Sequence, residues 1–229
     1  MLVNLGWVAS MLGAYGRARV YLERTLYLTR EINDRFVETN ALINLSSCAS
    51  ALGDAEAALL YTRQALELAR QSGDQNSEAW ALTFMGHSLW EKGELAQAVR
   101  VYRSALAIRR SFNQPALAAE PGAGLARVLL AQGDLNEAKQ HTNDILDYLA
   151  SGGALDGADE PARVYLNCFL TLSAARDDRA AQMLRAGCAQ LKARAASITD
   201  EIARRNFFEQ VSYNRELLTA WKAAGMEEI

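Results

Sequence analysis

Apolar and small residues recur at a fixed interval along the first two thirds of the chain. Within one copy, apolar residues four positions apart, such as Leu22 and Leu26, are typical of one face of an amphipathic helix. An exact repeat of such residues every 40 positions predicts four helical hairpins of one design. Five series share an interval of 40 residues: Leu5, Leu45, Met85 and Leu125; Gly6, Ser46, Gly86 and Ala126; Gly13, Gly53, Gly93 and Gly133; Ala18, Ala58, Ala98 and Ala138; and Leu26, Leu66, Leu106 and Leu146.

Each series has a physical interpretation. The glycine at Gly13 and its equivalents accepts the left-handed conformation that ends a helix, and Asp54 and Asp134 follow where an acidic group suits the start of the next helix. The small residue at Gly6 and the alanine at Ala18 let two helices approach closely. The leucine series then supplies a core position on the same helix face as the alanine.

The pattern resembles the tetratricopeptide repeat, in which a Leu-Gly pair is followed by a packing alanine. This chain carries Leu5-Gly6 and Ala18, but arginine stands where the family has its terminal proline, as at Arg30. The interval also exceeds the usual period of about 34 residues, which predicts a longer second helix. The resemblance implies an all-α fold, a right-handed α-solenoid of antiparallel helical hairpins with a C-terminal capping helix.

The chain is expected to form a single domain over residues 1–229. Glycines between 152 and 157 predict a loop after the fourth hairpin, and Pro121 is expected to kink or restart the helix that contains it. A fifth, degenerate hairpin follows, and residues 197–223 are predicted to form one final helix that covers it. The predicted units are 1–33, 34–73, 74–113, 114–152 and 159–196, followed by the capping helix at 197–223.

Met1 falls inside the first predicted helix, because Leu2 already occupies a core position. We therefore expect the chain to be part of a longer protein. Segments between residues 155 and 218 resemble the C-terminal helical-repeat arm of large bacterial signalling and transcription regulators. That resemblance implies a regulatory arm. An apolar first helix also leaves self-association through this N-terminal end open.

Composition narrows the class of partner. The formal net charge of −3 lacks the basic excess of a nucleic-acid-binding surface. The three cysteines, Cys48, Cys168 and Cys188, form no CxxC pair, so we expect reduced thiols in a cytoplasmic protein and no zinc framework. No segment is apolar for long enough to span a membrane.

The predicted binding site is the concave groove lined by the first helix of each hairpin. Aromatic and polar side chains there suit a peptide or protein surface, although each tryptophan is equally open to packing between repeats. Asn4, Asn44 and Asn167 share one repeat position, where hydrogen bonding to a neighbouring loop or helix is the favoured interpretation. The predicted groove residues are Trp7, Asn40, Ile43, Asn44, Ser47, Trp80, Thr83, His87, Trp90 and Arg127.

The leading hypothesis is therefore a non-catalytic protein-interaction scaffold, with no cofactor or metal expected. His87 and His141 lie in different units, which argues against a shared metal site, and no Gly-rich phosphate loop or hydrolase motif occurs. A nucleophilic pair of Cys48 and His87 lacks any visible oxyanion device. The alternative hypothesis is a small-ligand sensor that uses the same groove.

Overall fold

The computed structural model describes residues 1–155 and 157–226, and Asp156 and residues 227–229 of the predicted domain lie outside that description. The described residues form two compact units, Met1–Ile108 (unit 1) and Arg109–Ile229 (unit 2). All regular elements described are α-helices, which confirms the all-α prediction. They are α1 (Leu2–Met11), α2 (Tyr15–Glu31), α3 (Arg35–Ala51), α4 (Ala55–Ser72), α5 (Gln75–Glu91), α6 (Leu95–Ser111), α7 (Pro115–Ala131), α8 (Leu135–Ala150), α9 (Pro161–Ala174), α10 (Arg179–Ala196), α11 (Glu201–Glu209) and α12 (Ser212–Ala223).

The glycine series ends the first helix of each hairpin as predicted. Gly13, Gly53, Gly93 and Gly133 have φ angles of 71°, 81°, 75° and 84°. The acidic residue that follows Gly53 and Gly133 then caps the next helix. The carboxylates of Asp54 and Asp134 accept hydrogen bonds from the amides of Ala57 and Glu137, at 3.0 Å each.

A second series of left-handed residues ends the second helices, and sequence analysis missed it. Asn33, Gly73 and Asn113 have φ angles of 54°, 68° and 51° and are again 40 residues apart. Asparagine enters this conformation more readily than most other residues, which is why it can replace glycine here. Asp34 then caps α3 by accepting from Val37 N at 3.1 Å.

Small residues set the distance between paired helices in unit 1. A Cβ atom at Gly6 would lie 2.5 Å from Cγ of Leu22, and one at Gly86 would lie 2.5 Å from Cε1 of Tyr102. Ala18, the packing alanine of the first hairpin, is fully buried. These contacts confirm that the small positions permit close helix packing.

In unit 2, the helix that contains Pro121 does not restart. The helix α7 is continuous from Pro115 to Ala131, with Pro121 inside it. Proline removes a single main-chain hydrogen bond, that to the carbonyl of Leu117. The surrounding positions are deeply buried, as at Ala123 and Leu125, and their packing offsets that loss.

The stretch predicted as one capping helix forms two helices, α11 and α12. Val211 between them has an extended backbone and a buried side chain, and Asn214 Nδ2 donates to the carbonyl of Phe207 at 2.8 Å. This bond satisfies a main-chain acceptor where α11 ends, so the chain can turn there. Phe207 and Leu217 pack with Leu191 of α10, so the two helices together cover the α9–α10 hairpin. Among the described residues, no helix combines the length and the apolarity that a bilayer-spanning segment needs.

Candidate functional site

The first helices of unit 1 carry the candidate surface. Equivalent positions on α1, α3 and α5 lie on the same face of the repeat, because the hairpins share one register. Trp7 corresponds to Ser47, and Asn40 corresponds to Trp80. An aspartate caps the N-terminus of both α3 and α5. Asp74 accepts a hydrogen bond from Ser77 N at 3.1 Å, and Asp34 accepts one from Val37 N in the same way.

Six of the predicted groove residues in unit 1 have accessible side chains, and we call them the groove set. Trp7 is 38% exposed, and the other five are partly buried. An indole that stays partly exposed can contact a partner while its base packs in the helix surface. The groove set consists of Trp7, Asn40, Asn44, Ser47, Trp80 and Trp90.

Ile43, Thr83 and His87 were predicted to line the groove, but the structure buries them. Thr83 Oγ1 donates to the carbonyl of Ala79 at 2.8 Å. His87 Nδ1 lies 2.6 Å from the hydroxyl of Tyr102. All three side chains are buried, so they offer a partner no surface in this structure.

The asparagines of α3 are partly used within their own helix. Asn44 Nδ2 donates to the main-chain carbonyl of Asn40 at 3.0 Å, one turn back in the same helix and not in the neighbouring loop or helix that was expected. An amide has a second N–H and a carbonyl oxygen, which are the groups that pair with a peptide backbone. Asn4, in the same repeat position, is exposed, and Asn167 in unit 2 is buried.

The groove set contains no ionisable side chain. At the end of α5, Lys92 Nζ lies 2.7 Å from Glu56 and 3.1 Å from Glu94, and the carboxylate of Glu91 accepts a hydrogen bond from the hydroxyl of Ser50. Hydrogen bonding to Glu56 and then to Glu94 raises the pKa of Lys92. The six side chains of the groove set therefore offer aromatic, amide and hydroxyl contacts.

Cys48 is placed for packing. Its Sγ lies 2.9 Å from Oγ of Ser10, and the side chain is buried. Burial raises the pKa of the Cys48 thiol above its ordinary value, against smaller opposing effects of the Ser10 hydrogen bond and of Arg19. A protonated thiol is a poor nucleophile, so the geometry gives no support to the Cys48 and His87 pair.

Arg127, the one predicted groove residue in unit 2, lies on α7 and is partly buried. Burial lowers the pKa of its guanidinium, and the charge of Glu216 on α12 opposes that shift. Even a lowered arginine pKa leaves the group charged near neutral pH.

Unit 2 also contains a buried charged cluster that sequence analysis missed. Glu120 is fully buried on α7, and its Oε2 accepts from the amides of Asp159 and Glu160 at 3.0 and 3.4 Å. Arg163 forms an ion pair with Glu160, and its guanidinium lies 4.7 Å above the ring of Tyr213.

Burial raises the pKa of Glu120, while the charge of Arg163, the two amides and then Arg109 oppose the shift. The arrangement fastens the connection between α8 and α9 onto α7. One signal was available, because Glu120 occupies the repeat position of Asn40 and Trp80. A carboxylate at a repeat position that carries neutral residues in the two preceding hairpins is the signal of a separate role for Glu120.

Comparisons with known families agree with this geometry. Two family models described as tetratricopeptide repeat match the chain, one over residues 1–35 and the other over residues 37–111. No curated protein matches the sequence.

Several solved structures are similar in fold. A Rap protein complexed with competence and sporulation factor matches over 98% of this chain and 62% of its own, at 17% identity and a TM-score of 0.66. A putative kinesin light chain with nearly identical TPR-like repeats from Podosopora anserina matches over 84% of this chain and 94% of its own, at 15% identity and a TM-score of 0.60.

A signal transduction ATPase with numerous domains and a tetratricopeptide repeat sensor, from Pyrococcus horikoshii, matches over 99% of this chain but 33% of its own. Its identity is 15% and its TM-score is 0.60. The chain thus spans less than two thirds of the length of the Rap protein. It spans about one third of the length of the ATPase. At these identities the similarity shows the fold, an all-α helical-repeat solenoid.

Proposed function

We propose that this chain, which is a helical-repeat protein of the tetratricopeptide type, is a non-catalytic scaffold that binds a peptide or protein segment on the groove set of unit 1. Helical repeats of this type generally serve as interaction scaffolds and not as enzymes. The observation that carries the proposal is the accessible, uncharged array of tryptophan and asparagine side chains on α1, α3 and α5.

The chemistry of the groove set supports an uncharged stretch of peptide as the ligand. Asn40 and Asn44 offer amide groups to a peptide backbone, and the indole of Trp80 offers a flat apolar surface to a side chain. Tryptophan is also among the residues that contribute most to binding energy at protein interfaces.

We also propose that the chain acts as the regulatory arm of a larger cytoplasmic regulator of bacterial type, in signalling or transcription. The support is the fold similarity to the Rap protein, whose structure includes competence and sporulation factor, and to the ATPase with a repeat sensor. In the ATPase, a similar array makes up part of a longer chain, which is the arrangement that we propose here.

Peptide selection tests the binding function. Random 12-residue peptides displayed on phage would be selected on the full chain, and the affinity of the selected peptides would be measured by fluorescence anisotropy. We expect Asn40→Ala and Trp80→Ala each to weaken binding by about tenfold or more, as truncation of an interface anchor does. Leu60→Ala, an exposed position on α4 away from the first helices, is the control and should leave the affinity unchanged.

Trp80 also packs near Phe84, with ring centroids 6.3 Å apart, so circular dichroism must show that the Trp80 variant is folded. If no peptide binds at about 100 µM, or if groove and control variants bind alike, the proposal is wrong. A metabolite screen by thermal shift separates the sensor hypothesis, because a small molecule that raises the melting temperature would favour it.

A further inference from the structure

The α5–α6 hairpin carries four aromatic rings in series behind the groove set, and we call them the aromatic stack. The rings of Trp80 and Phe84 have centroids 6.3 Å apart, and the ring of Phe84 meets that of His87 edge to face at 5.4 Å. The imidazole of His87 then lies 5.6 Å from the ring of Tyr102 on α6. Offset and edge-to-face arrangements are those that aromatic rings prefer. The aromatic stack therefore connects a groove residue of α5 to the second helix of its hairpin.

The inner end of the aromatic stack is fixed by a hydrogen bond and by close packing. Nδ1 of His87 lies 2.6 Å from the hydroxyl of Tyr102, and both side chains are almost completely buried. The ring of Tyr102 also fits against Gly86, where an added Cβ atom would lie 2.5 Å from its Cε1. Because protein interiors are close-packed, neither ring can turn without displacing its neighbours.

The outer end of the aromatic stack is the indole of Trp80, which remains partly accessible. This indole packs against the core cluster that contains Ile43 and Phe84. Phe84 is buried and touches both Trp80 and His87, so it is the ring through which the position of His87 limits the position of the indole.

The α3–α4 hairpin has no such connection at the equivalent positions. There, Thr62 Oγ1 donates to the carbonyls of Ala58 and Leu59 in its own helix, at 3.2 and 3.1 Å. The hydrogen bond of His87 with Tyr102 instead joins α5 to α6. The four equivalent residues of the α3–α4 hairpin are Asn40, Asn44, Ser47 and Thr62.

We propose that Tyr102 and His87 are positioning residues of the groove, which act through Phe84 to hold the indole of Trp80 in the orientation that meets a ligand. The inference rests on the proposed function, because it concerns the same groove set. A side chain that is already held in place loses less freedom when a ligand binds, and rigid aromatic anchors use this advantage. Trp80 thus contributes more affinity than an indole that is free to turn.

Fluorine NMR of the full chain labelled with 5-fluorotryptophan tests the positioning without any ligand. The signal of Trp80 is identified by its loss in Trp80→Ala. Tyr102→Phe keeps the ring and removes the hydroxyl, and it should change the chemical shift or the line width of Trp80 but leave Trp7 unchanged. Thr62→Val is the matched control, because it removes a buried hydroxyl at the equivalent repeat position of the α3–α4 hairpin. It should leave the signal of Trp80 unchanged.

A double-mutant cycle on peptide affinity tests whether Tyr102 acts through Trp80. With peptides selected on the wild type, Tyr102→Phe should weaken binding about fivefold, because the ligand would have to order the indole on binding. In the Trp80→Ala background, Tyr102→Phe should have no further effect, since residues that act as a unit are not additive. A merely structural role of Tyr102 would lower the affinity equally in both backgrounds.

Two results would overturn the inference: an unchanged fluorine signal of Trp80 in Tyr102→Phe, or equal losses of affinity in the two backgrounds. If circular dichroism shows that Tyr102→Phe is not folded, Phe84→Leu interrupts the aromatic stack instead and should alter the signal of Trp80 in its place. The fluorine measurement uses the free protein. A chain that selects no peptide would therefore contradict the proposed function, while the positioning of Trp80 would still be decided by its signal.

Discussion

One repeat position has opposite roles in the two units. In unit 1 it carries Asn40 and Trp80, which are uncharged and partly accessible. In unit 2 it carries Glu120, which is ionisable, fully buried and hydrogen-bonded to the amides of Asp159 and Glu160. The helices are equivalent, yet the residue at this position is partly accessible in unit 1, and in unit 2 it is buried and binds the main chain of another segment.

The connections between hairpins explain this difference. In unit 1 the chain passes from α4 to α5 through Gly73 and Asp74 alone. In unit 2 the helix α8 ends at Ala150 and α9 begins at Pro161, so a longer segment must be held against α7. Its main-chain amides need acceptors where they are buried, and the Glu120 carboxylate supplies one. The repeat thus determines where the helices lie, while the length of the connection between hairpins determines which side chain suits this position.

The largest expected effect breaks this comparison directly. Glu120→Ala should lower the free energy of unfolding by about 1–3 kcal/mol for each of the two buried amides, those of Asp159 and Glu160, that it leaves without an acceptor. Asn40→Ala, at the equivalent position in unit 1, should cost less than about 0.5 kcal/mol. Urea denaturation followed by circular dichroism measures both. Equal losses would mean that the two positions do not differ as described.

A second effect concerns the close helix contacts. Gly86→Ala should destabilise the protein by about 1–3 kcal/mol, because the new Cβ would lie 2.5 Å from the ring of Tyr102. Gly16 in α2 has no heavy atom within 4 Å of the same added atom. Gly16→Ala is therefore the matched control, and should be neutral or stabilise by up to about 1 kcal/mol. Melting temperatures that fall by the same amount in both variants would contradict the close-contact explanation.

The helix caps should behave alike in both units, which sharpens the comparison. Asp54→Ala in unit 1 and Asp134→Ala in unit 2 each remove one side-chain acceptor from a first-turn amide. Each should cost about 1 kcal/mol. Urea midpoints of the two variants should shift by similar amounts. A much larger shift in either would show that its aspartate has a role beyond the repeat.

The smallest expected effect is a pH dependence in unit 2. Burial lowers the pKa of His141 below 6.5, against the opposing influence of Glu137, whose Oε1 lies 3.6 Å from its Nε2. Above pH 6.5 both the folded and unfolded states keep the imidazole neutral. As the pH falls through the window below 6.5, the unfolded state takes up the proton more readily, so stability decreases. His141→Gln should lessen the loss of stability between pH 7.5 and 5.5, and an unchanged slope would contradict this assignment.

Much of the fold could be predicted because its requirements are local. A left-handed turn favours glycine, as at Gly53, a helix start favours Asp54, and a close contact admits Ala18 but not a large side chain. These requirements repeat with the register and need no knowledge of distant residues.

The candidate site was predicted only in part, because burial depends on distant partners. The amides that bond Glu120 lie about forty residues further along the chain. The hydroxyl that approaches His87 comes from Tyr102 on the next helix. A small rotation of a helix decides whether such a residue faces a neighbouring helix or the solvent. The spacing of residues in the sequence does not specify that rotation.

The central claim is that the chain binds a peptide or protein through the uncharged groove set of unit 1. A photo-reactive benzophenone side chain in place of Asn40 tests it most directly, with the same group in place of Leu60 as the control. After irradiation with a peptide selected on the wild-type chain, mass spectrometry should find the peptide attached at position 40 and not at position 60. Attachment at both positions alike, or at position 60 alone, would contradict the claim.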